Sequence, residues 1–223
     1  MPRDRDVMDA ELVDYYRRRA QEYEAIYARP ERQADLEKLR SVIGGRFEGE
    51  RVLEIACGTG YWTGIIAAAA KEVVATDVAE EPMAIARSKA YRRANVRFES
   101  ADAYALDAGL GWHGAAFAGF WWSHVPRERV EEFLASLHAR LEPGARVVLL
   151  DNLYVQGSST PVAGMDAAGN TYQMRRLGDG SRVRVLKNFV SEEELRERLA
   201  PHAAAFAFEA LDYYWLAEYQ LKQ

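Results

Sequence analysis

The chain has 223 residues, 49% of them hydrophobic, which suits one α/β domain with a sizeable core. Its 29 lysines and arginines stand against 34 aspartates and glutamates, and a formal charge of −5 leaves no long basic face of the kind that tracks nucleic acid. The one cysteine, Cys57, excludes an internal disulfide, no apolar run nears the ~20 residues of a membrane span, and no secretory signal precedes it, so a cytoplasmic location is expected.

In chain order, the first 48 residues read as a helical preface. Leu12, Tyr16, Ala20, Tyr23 and Tyr27 recur every three or four residues and share a helical face, with Tyr15 beside them. A second helix is expected around Arg32 to Ile43, stopped by Gly44-Gly45. The basic clusters Arg17-Arg18-Arg19 and Arg87 to Arg93 both fall on predicted helices and read as solvated faces paired with glutamates.

The segment Arg51-Val-Leu-Glu-Ile-Ala-Cys-Gly-Thr-Gly60 follows, a buried strand running into a glycine turn that opens a helix. Val52, Leu53 and Ile55 form its apolar run with Glu54 the one charge inside that run, while Gly58 and Gly60 permit positive φ and close approach of a ligand. The third glycine of a dinucleotide fingerprint is absent, because its place is taken by Thr63. Glu72-Val-Val-Ala-Thr-Asp77 is a second apolar run ending in an acid, placed to accept two ribose hydroxyls after one crossover helix. NAD proteins use the same device, so Asp77 points to a nucleoside without saying which. A helix starts near Pro82, and the strand Val96-Arg97-Phe98 leads to Ser100-Ala-Asp102-Ala103.

Residues 54 to 60, in register with Asp77 and Asp102, resemble the first motif of the class I S-adenosylmethionine-dependent methyltransferases, with Ala56 where many members carry glycine. The resemblance covers most of the chain. It implies a Rossmann-like, doubly wound α/β fold with a seven-stranded, mostly parallel sheet, an antiparallel C-terminal strand and an N-terminal helical cap. Carried over, it assigns the methionine part of S-adenosylmethionine to Glu54, Ala56, Gly58, Thr59 and Gly60, the ribose to Asp77 and Val78, and the base to Met83, Asp102 and Ala103. Tyr16 and Tyr23 would close over the cofactor from the cap, and S-adenosylhomocysteine would be the product.

The fourth strand, Ala115 to Phe120, leads into Trp121-Trp-Ser-His124-Val-Pro126 at the strand ends where open sheets bind ligands. Phe120 and Trp121 are candidates for the cofactor and Trp122 for the substrate, since adjacent side chains cannot both point the same way. His124 is the candidate general base, with Tyr16 a second group for the proton. The fifth strand, Arg146 to Asn152, ends in an Asp151-Asn152 pair resembling the metal ligands of catechol-type O-methyltransferases. The aspartate those enzymes add after strand four is replaced here by tryptophan, so no metal is expected. Residues 155–190 form a substrate-side insertion in which Tyr172, Arg175 and Arg176, with Asn152, would hold an acidic or polar acceptor. Ser191-Glu-Glu-Glu194 is a capping box, and two β-rich runs split at Leu211-Asp212 complete an antiparallel pair.

The reading is therefore one methyltransferase domain, residues 1–48 a cap and 49–223 the core. It would pass a methyl group by in-line displacement to an oxygen, nitrogen or sulfur nucleophile of a small molecule, as a monomer or homodimer. An NAD-dependent oxidoreductase and a non-catalytic S-adenosylmethionine-binding domain are the alternatives.

Overall fold

The computed structural model describes residues 4–92 and 95–223, so Arg93 of the second basic cluster lies outside the described residues. Five strands, β1 (Arg51–Ile55), β2 (Glu72–Asp77), β3 (Val96–Ser100), β4 (His113–Gly119) and β5 (Leu141–Asn152), pair in parallel. Three short strands, β6 (Val162–Met165), β7 (Thr171–Arg176) and β8 (Arg182–Leu186), form a separate antiparallel sheet inside the insertion. Strands β9 (Ala203–Ala210) and β10 (Tyr214–Leu221) rejoin the main sheet antiparallel, giving the order β3-β2-β1-β4-β5-β10-β9.

Six α-helices accompany the strands: α1 (Asp4–Arg19), α2 (Gln33–Arg46), α3 (Tyr61–Ala67), α4 (Glu80–Ser88), α5 (Val130–His138) and α6 (Glu192–Leu199). Strand alternation decides which face each residue serves. Val52 joins Leu36, Leu39, Ile43 and Ile66 on one side of the sheet, whereas Leu53 and Ile55 join Phe133, Leu134 and Leu137 on the other. Both faces are covered, which is why β1 reads as continuously apolar. Ser191 Oγ accepts the Glu194 N–H at 3.1 Å, capping α6 as its sequence predicts.

Three boundaries differ from expectation. Helix α2 runs through Gly44-Gly45 to Arg46, because fully buried Ile43 and Phe47 anchor its last turn and outweigh the ~1 kcal/mol that a helical glycine costs. Strand β5 begins before the Glu142-Pro-Gly144 turn: His113 pairs Leu141 and Ala115 pairs Arg146, so the turn loops out as an irregularity within one strand. The second basic cluster is not all helical, since α4 ends at Ser88 and Arg92 lies beyond it.

After Arg19 the preface tightens into a 3-10 segment, Ala20–Ala28. It is held down by Thr59 Oγ1 donating to Glu24 Oε1 at 2.7 Å and by a Lys89–Glu24 ion pair. Arg17 reaches Glu81 on α4 at 2.8 Å. The small sheet supports the cap from the other side, where fully buried Tyr15 packs on Leu177 and Val185.

Candidate functional site

Two adjoining cavities open between the cap and the carboxyl ends of the parallel strands, where the loops of an open α/β sheet converge. The first is lined by Tyr16, Tyr23, Glu54, Ala56, Gly58, Thr59, Asp77, Val78, Asp102, Ala103, Phe120 and Trp121, all expected at a cofactor. Tyr27, Tyr61 and Trp62 add an aromatic wall in which the rings of Tyr27 and Tyr61 stack at 3.8 Å.

Two expected residues are elsewhere. Met83 is fully buried on the core side of α4 and only its neighbour Pro82 reaches the cavity. Gly60 (φ +77°) does not line the cavity: it seats the turn against α4, where an added Cβ would meet Tyr91 Oη at 2.6 Å and Ala86 Cβ at 2.9 Å. Its N–H donates to Cys57 O at 2.9 Å.

The acids of this cavity are held differently. Asp77 accepts the Gly58 N–H on Oδ2 and the Ala79 N–H on Oδ1, each at 2.8 Å, so β2 and the glycine turn orient the carboxylate together. Burial raises its pKa, and those backbone donors lower it in part. Glu54 is 2% exposed, and its Oε2 has no hydrogen-bond partner among the described residues. Burial pushes its pKa up to about 8, the nearby Thr63 hydroxyl offsetting this in part and Asp77 adding to it. Asp102 accepts the Tyr104 N–H at 2.9 Å and is otherwise exposed.

Tyr16, Tyr23, Phe120 and His124 belong to the walls of both cavities. His124 Nδ1 lies 2.7 Å from Leu186 O, which can only accept, so Nδ1 carries the proton. Its Nε2 lies 2.7 Å from Tyr16 Oη and accepts the phenol hydrogen. Burial, and then Lys187, lower the His124 pKa well below the usual value, and burial raises that of Tyr16. The expected base therefore has its lone pair occupied by the second candidate.

The second cavity is lined by Asn152, Arg175 and Arg176, three of the residues expected at an acceptor. Arg19, Arg29, Arg32 and Lys187 join them, together with Gln173 and Ser158 to Thr160. Lys187 is 4% exposed, 3.0 Å from Asp151 Oδ1 and 2.5 Å from Ser123 Oγ. Asp151 also accepts backbone N–H groups of Ser123 and Asn152, so its oxygens are engaged within the protein. Trp122 and Tyr172 line neither cavity. Trp122 packs against Phe133 in the core while Trp121 takes the cavity side. Tyr172 donates to Asp166 Oδ2 at 2.8 Å under the Arg184 guanidinium, because strand alternation turns it away from the face shared by Gln173 and Arg175.

The profile of the methyltransferase domain family matches residues 52–144. A demethylmenaquinone methyltransferase of Clavibacter sepedonicus is 29% identical over 153 residues, covering 68% of this chain and 58% of its own length. A protein-L-isoaspartate O-methyltransferase of Anaeromyxobacter dehalogenans is 34% identical over 107 residues, 45% of this chain and 46% of its own length, so the chain spans about half the length of these two relatives. Among solved structures, a DhpI complex with SAM and HEP superposes with a TM-score of 0.77 at 29% identity over 95% of this chain and 96% of that one. A DhpI complex with SAH gives 0.76 at 29% identity over 96% and 97%. Residues 52–144 thus match the methyltransferase domain family, and the solved neighbours extend that similarity in fold across the chain. Neither alternative reading finds support in these comparisons.

The residues of the first cavity fit S-adenosylmethionine. The buried, unpartnered Glu54 Oε2 suits an ammonium group, and the doubly anchored Asp77 keeps lone pairs for two hydroxyls. Ala56 (φ +53°) and Phe120 (φ +60°) both hold left-handed backbone at strand ends on the cavity wall, a strain that collects at ligand sites. Ala56→Gly is expected to raise stability by about 1 kcal/mol by removing the left-handed penalty of a Cβ. Chemical denaturation measures this, and an unchanged or lower midpoint would show that the turn is not strained.

The cavity cations went unforeseen in part because their signals are weak. Arg32 reads as a helix-surface residue and Lys187 as the end of an exposed strand, and neither has a local partner in the sequence.

Proposed function

We propose that the protein transfers the methyl group of S-adenosylmethionine to a small acceptor in the second cavity, across the junction formed by Tyr16, Tyr23, Phe120 and His124. The sharing of those four residues by both cavities carries the reading. When bound, the cofactor supplies a methyl carbon activated by sulfonium. Glu54 would hold its ammonium group, Asp77 its ribose hydroxyls, and the side of Asp102 and Ala103 its base. Tyr16, fixed by His124, would orient the acceptor, and the cap would exclude water. Positioning then dominates, because aligned reactants account for ~7–11 kcal/mol of barrier.

We read the chain as one methyltransferase domain, with residues 1–48 as the cap, acting in the cytoplasm as a monomer or homodimer without nucleic acid. The net charge of −5 argues against a nucleic-acid partner, and no described helix is long and apolar enough to cross a membrane.

Parallel calorimetric titrations with S-adenosylmethionine, S-adenosylhomocysteine and NADH test the assignment. Saturable binding of the two sulfur nucleosides alone is expected, and binding of NADH alone would overturn it. Glu54 adds a second readout. With a pKa of about 8 it is protonated at pH 7 in the free protein, and pairing with an ammonium ionises it. Binding at pH 7 should therefore release close to one proton, seen as a dependence of the heat on the buffer's ionisation enthalpy, and Glu54→Gln should remove that release. In the free protein the raised pKa also makes stability fall as pH rises between the usual carboxylate range and about 8.

A further inference from the structure

Six cationic side chains, Arg19, Arg29, Arg32, Arg175, Arg176 and Lys187, line the second cavity, and no aspartate or glutamate is among its lining residues. This concentration occurs in a chain whose formal charge is −5. The two most enclosed members differ in how they are compensated. Lys187 has Asp151 at 3.0 Å. Arg32, 8% exposed, meets only neutral oxygens, Asn152 Oδ1 at 3.3 Å, Ser158 Oγ at 3.2 Å and Tyr214 Oη at 3.5 Å, and its Nε has no partner among the described residues. Arg175 likewise donates to Gln173 Oε1 at 2.9 Å and to Tyr15 Oη at 3.4 Å, with no carboxylate within 4.0 Å among the described residues. Guanidinium groups held away from water by neutral acceptors gain most from an anion, and their planar forks match an oxyanion in two-point contact.

The junction points the same way. An alcohol or ammonium acceptor must lose a proton, and the nearest base, His124 Nε2, is already engaged by the Tyr16 hydroxyl at 2.7 Å. A cationic amine would also meet like charge in this cavity.

We propose that the second cavity binds a compact oxyanion, a carboxylate or a phosphate- or phosphonate-type group, and that one of its anionic oxygens receives the methyl group. This rests on the methyl-transfer reading above. The oxygen lone pair forms the O–CH3 bond as the C–S bond breaks. The C–S electron pair stays on sulfur, which becomes a neutral thioether, and the acceptor loses one negative charge. No proton is exchanged, so no base is required. Tyr16 and His124 are then positioning residues: the phenol, locked by the imidazole, fixes the wall that the acceptor meets.

The test titrates methylphosphonate, inorganic phosphate and propionate, with ethanolamine and 1-propanol as cationic and neutral controls, into the protein saturated with S-adenosylhomocysteine and into the free protein. At least one oxyanion should bind saturably and neither control should. Arg175→Gln should weaken that binding about ten- to a hundredfold, and Arg176→Gln, at the exposed end of β7, by a smaller factor. Neither should change S-adenosylhomocysteine affinity more than twofold. Normal S-adenosylhomocysteine binding with no saturable oxyanion binding, or oxyanion binding indifferent to both substitutions, would overturn the proposal and leave methyl transfer standing. Oxyanion binding by a protein that does not bind S-adenosylhomocysteine would instead defeat the methyl-transfer reading, and the acceptor role with it.

Discussion

Replacing Asp77 by alanine should weaken S-adenosylhomocysteine binding by about 10²–10⁴-fold, since two hydrogen bonds to a charged group contribute roughly 1.5–3 kcal/mol each. The effect has two sources. The carboxylate is the expected acceptor for the ribose hydroxyls, and its two oxygens also fix the Gly58 and Ala79 N–H groups at 2.8 Å, tying the glycine turn to the end of β2. Calorimetry reads the affinity, and circular dichroism with thermal unfolding checks that the sheet persists. Oxyanion binding in the second cavity should be retained, because Asp77 lines only the first. Affinity within threefold of the parent would show that the ribose is not held here.

Lys187→Met should lower stability by about 3–5 kcal/mol, because it leaves Asp151, 0% exposed, as a buried charge without its ammonium partner. For a domain of this size that is a fall in Tm of roughly 6–20 °C. Burial alone would raise the Asp151 pKa, but Lys187, and after it His124, outweigh burial and hold it below the usual carboxylate value. A depressed carboxylate pKa contributes stability at neutral pH that is lost as pH falls through the folded value. Without Lys187 the sign reverses. Burial then raises the Asp151 pKa, and the variant should lose ground to the parent as pH rises from about 4.5 to 7.5. Removing both charges, as in Lys187→Met with Asp151→Leu, should restore much of the loss. Equal destabilisation at both pH values would refute the unpaired-charge explanation.

The residues that read well from the sequence owe their positions to local rules. Val52 to Ile55 alternate between two covered faces, Gly58 and Gly60 permit the left-handed turn, and Asp77 ends the next strand, so one crossover unit specifies one wall of the first cavity. Within that unit the failures are also local. Met83 sits one residue past Pro82 and turns into the core, and Gly60 spends its missing Cβ on packing against α4.

The second cavity is different in kind. Arg32 comes from the start of α2, Asn152 from the end of β5, Arg175 from β7 and Lys187 from just after β8. Asn152 and Arg175 are expected there from the sequence, whereas nothing within a few residues of Arg32 or Lys187 signals that they share the cavity. Gln173 lines the cavity where Tyr172 is expected, because only pairing with β8 sets which face of β7 looks inward. His124 looks like a free base until the cap helix brings Tyr16 to its Nε2.

The sequence by itself determined the nucleotide-type turn, the acidic strand ends and the strand-by-strand plan that carry the resemblance to a methyltransferase family, because periodicity, glycine placement and charge at strand ends act over a few residues. Only the tertiary structure decided which side chains line the second cavity, that six cations meet there in an acidic chain, and that Tyr16 occupies His124. Those outcomes depend on the sheet order and on packing of the cap and insertion across long stretches of chain, and no local pattern encodes that convergence.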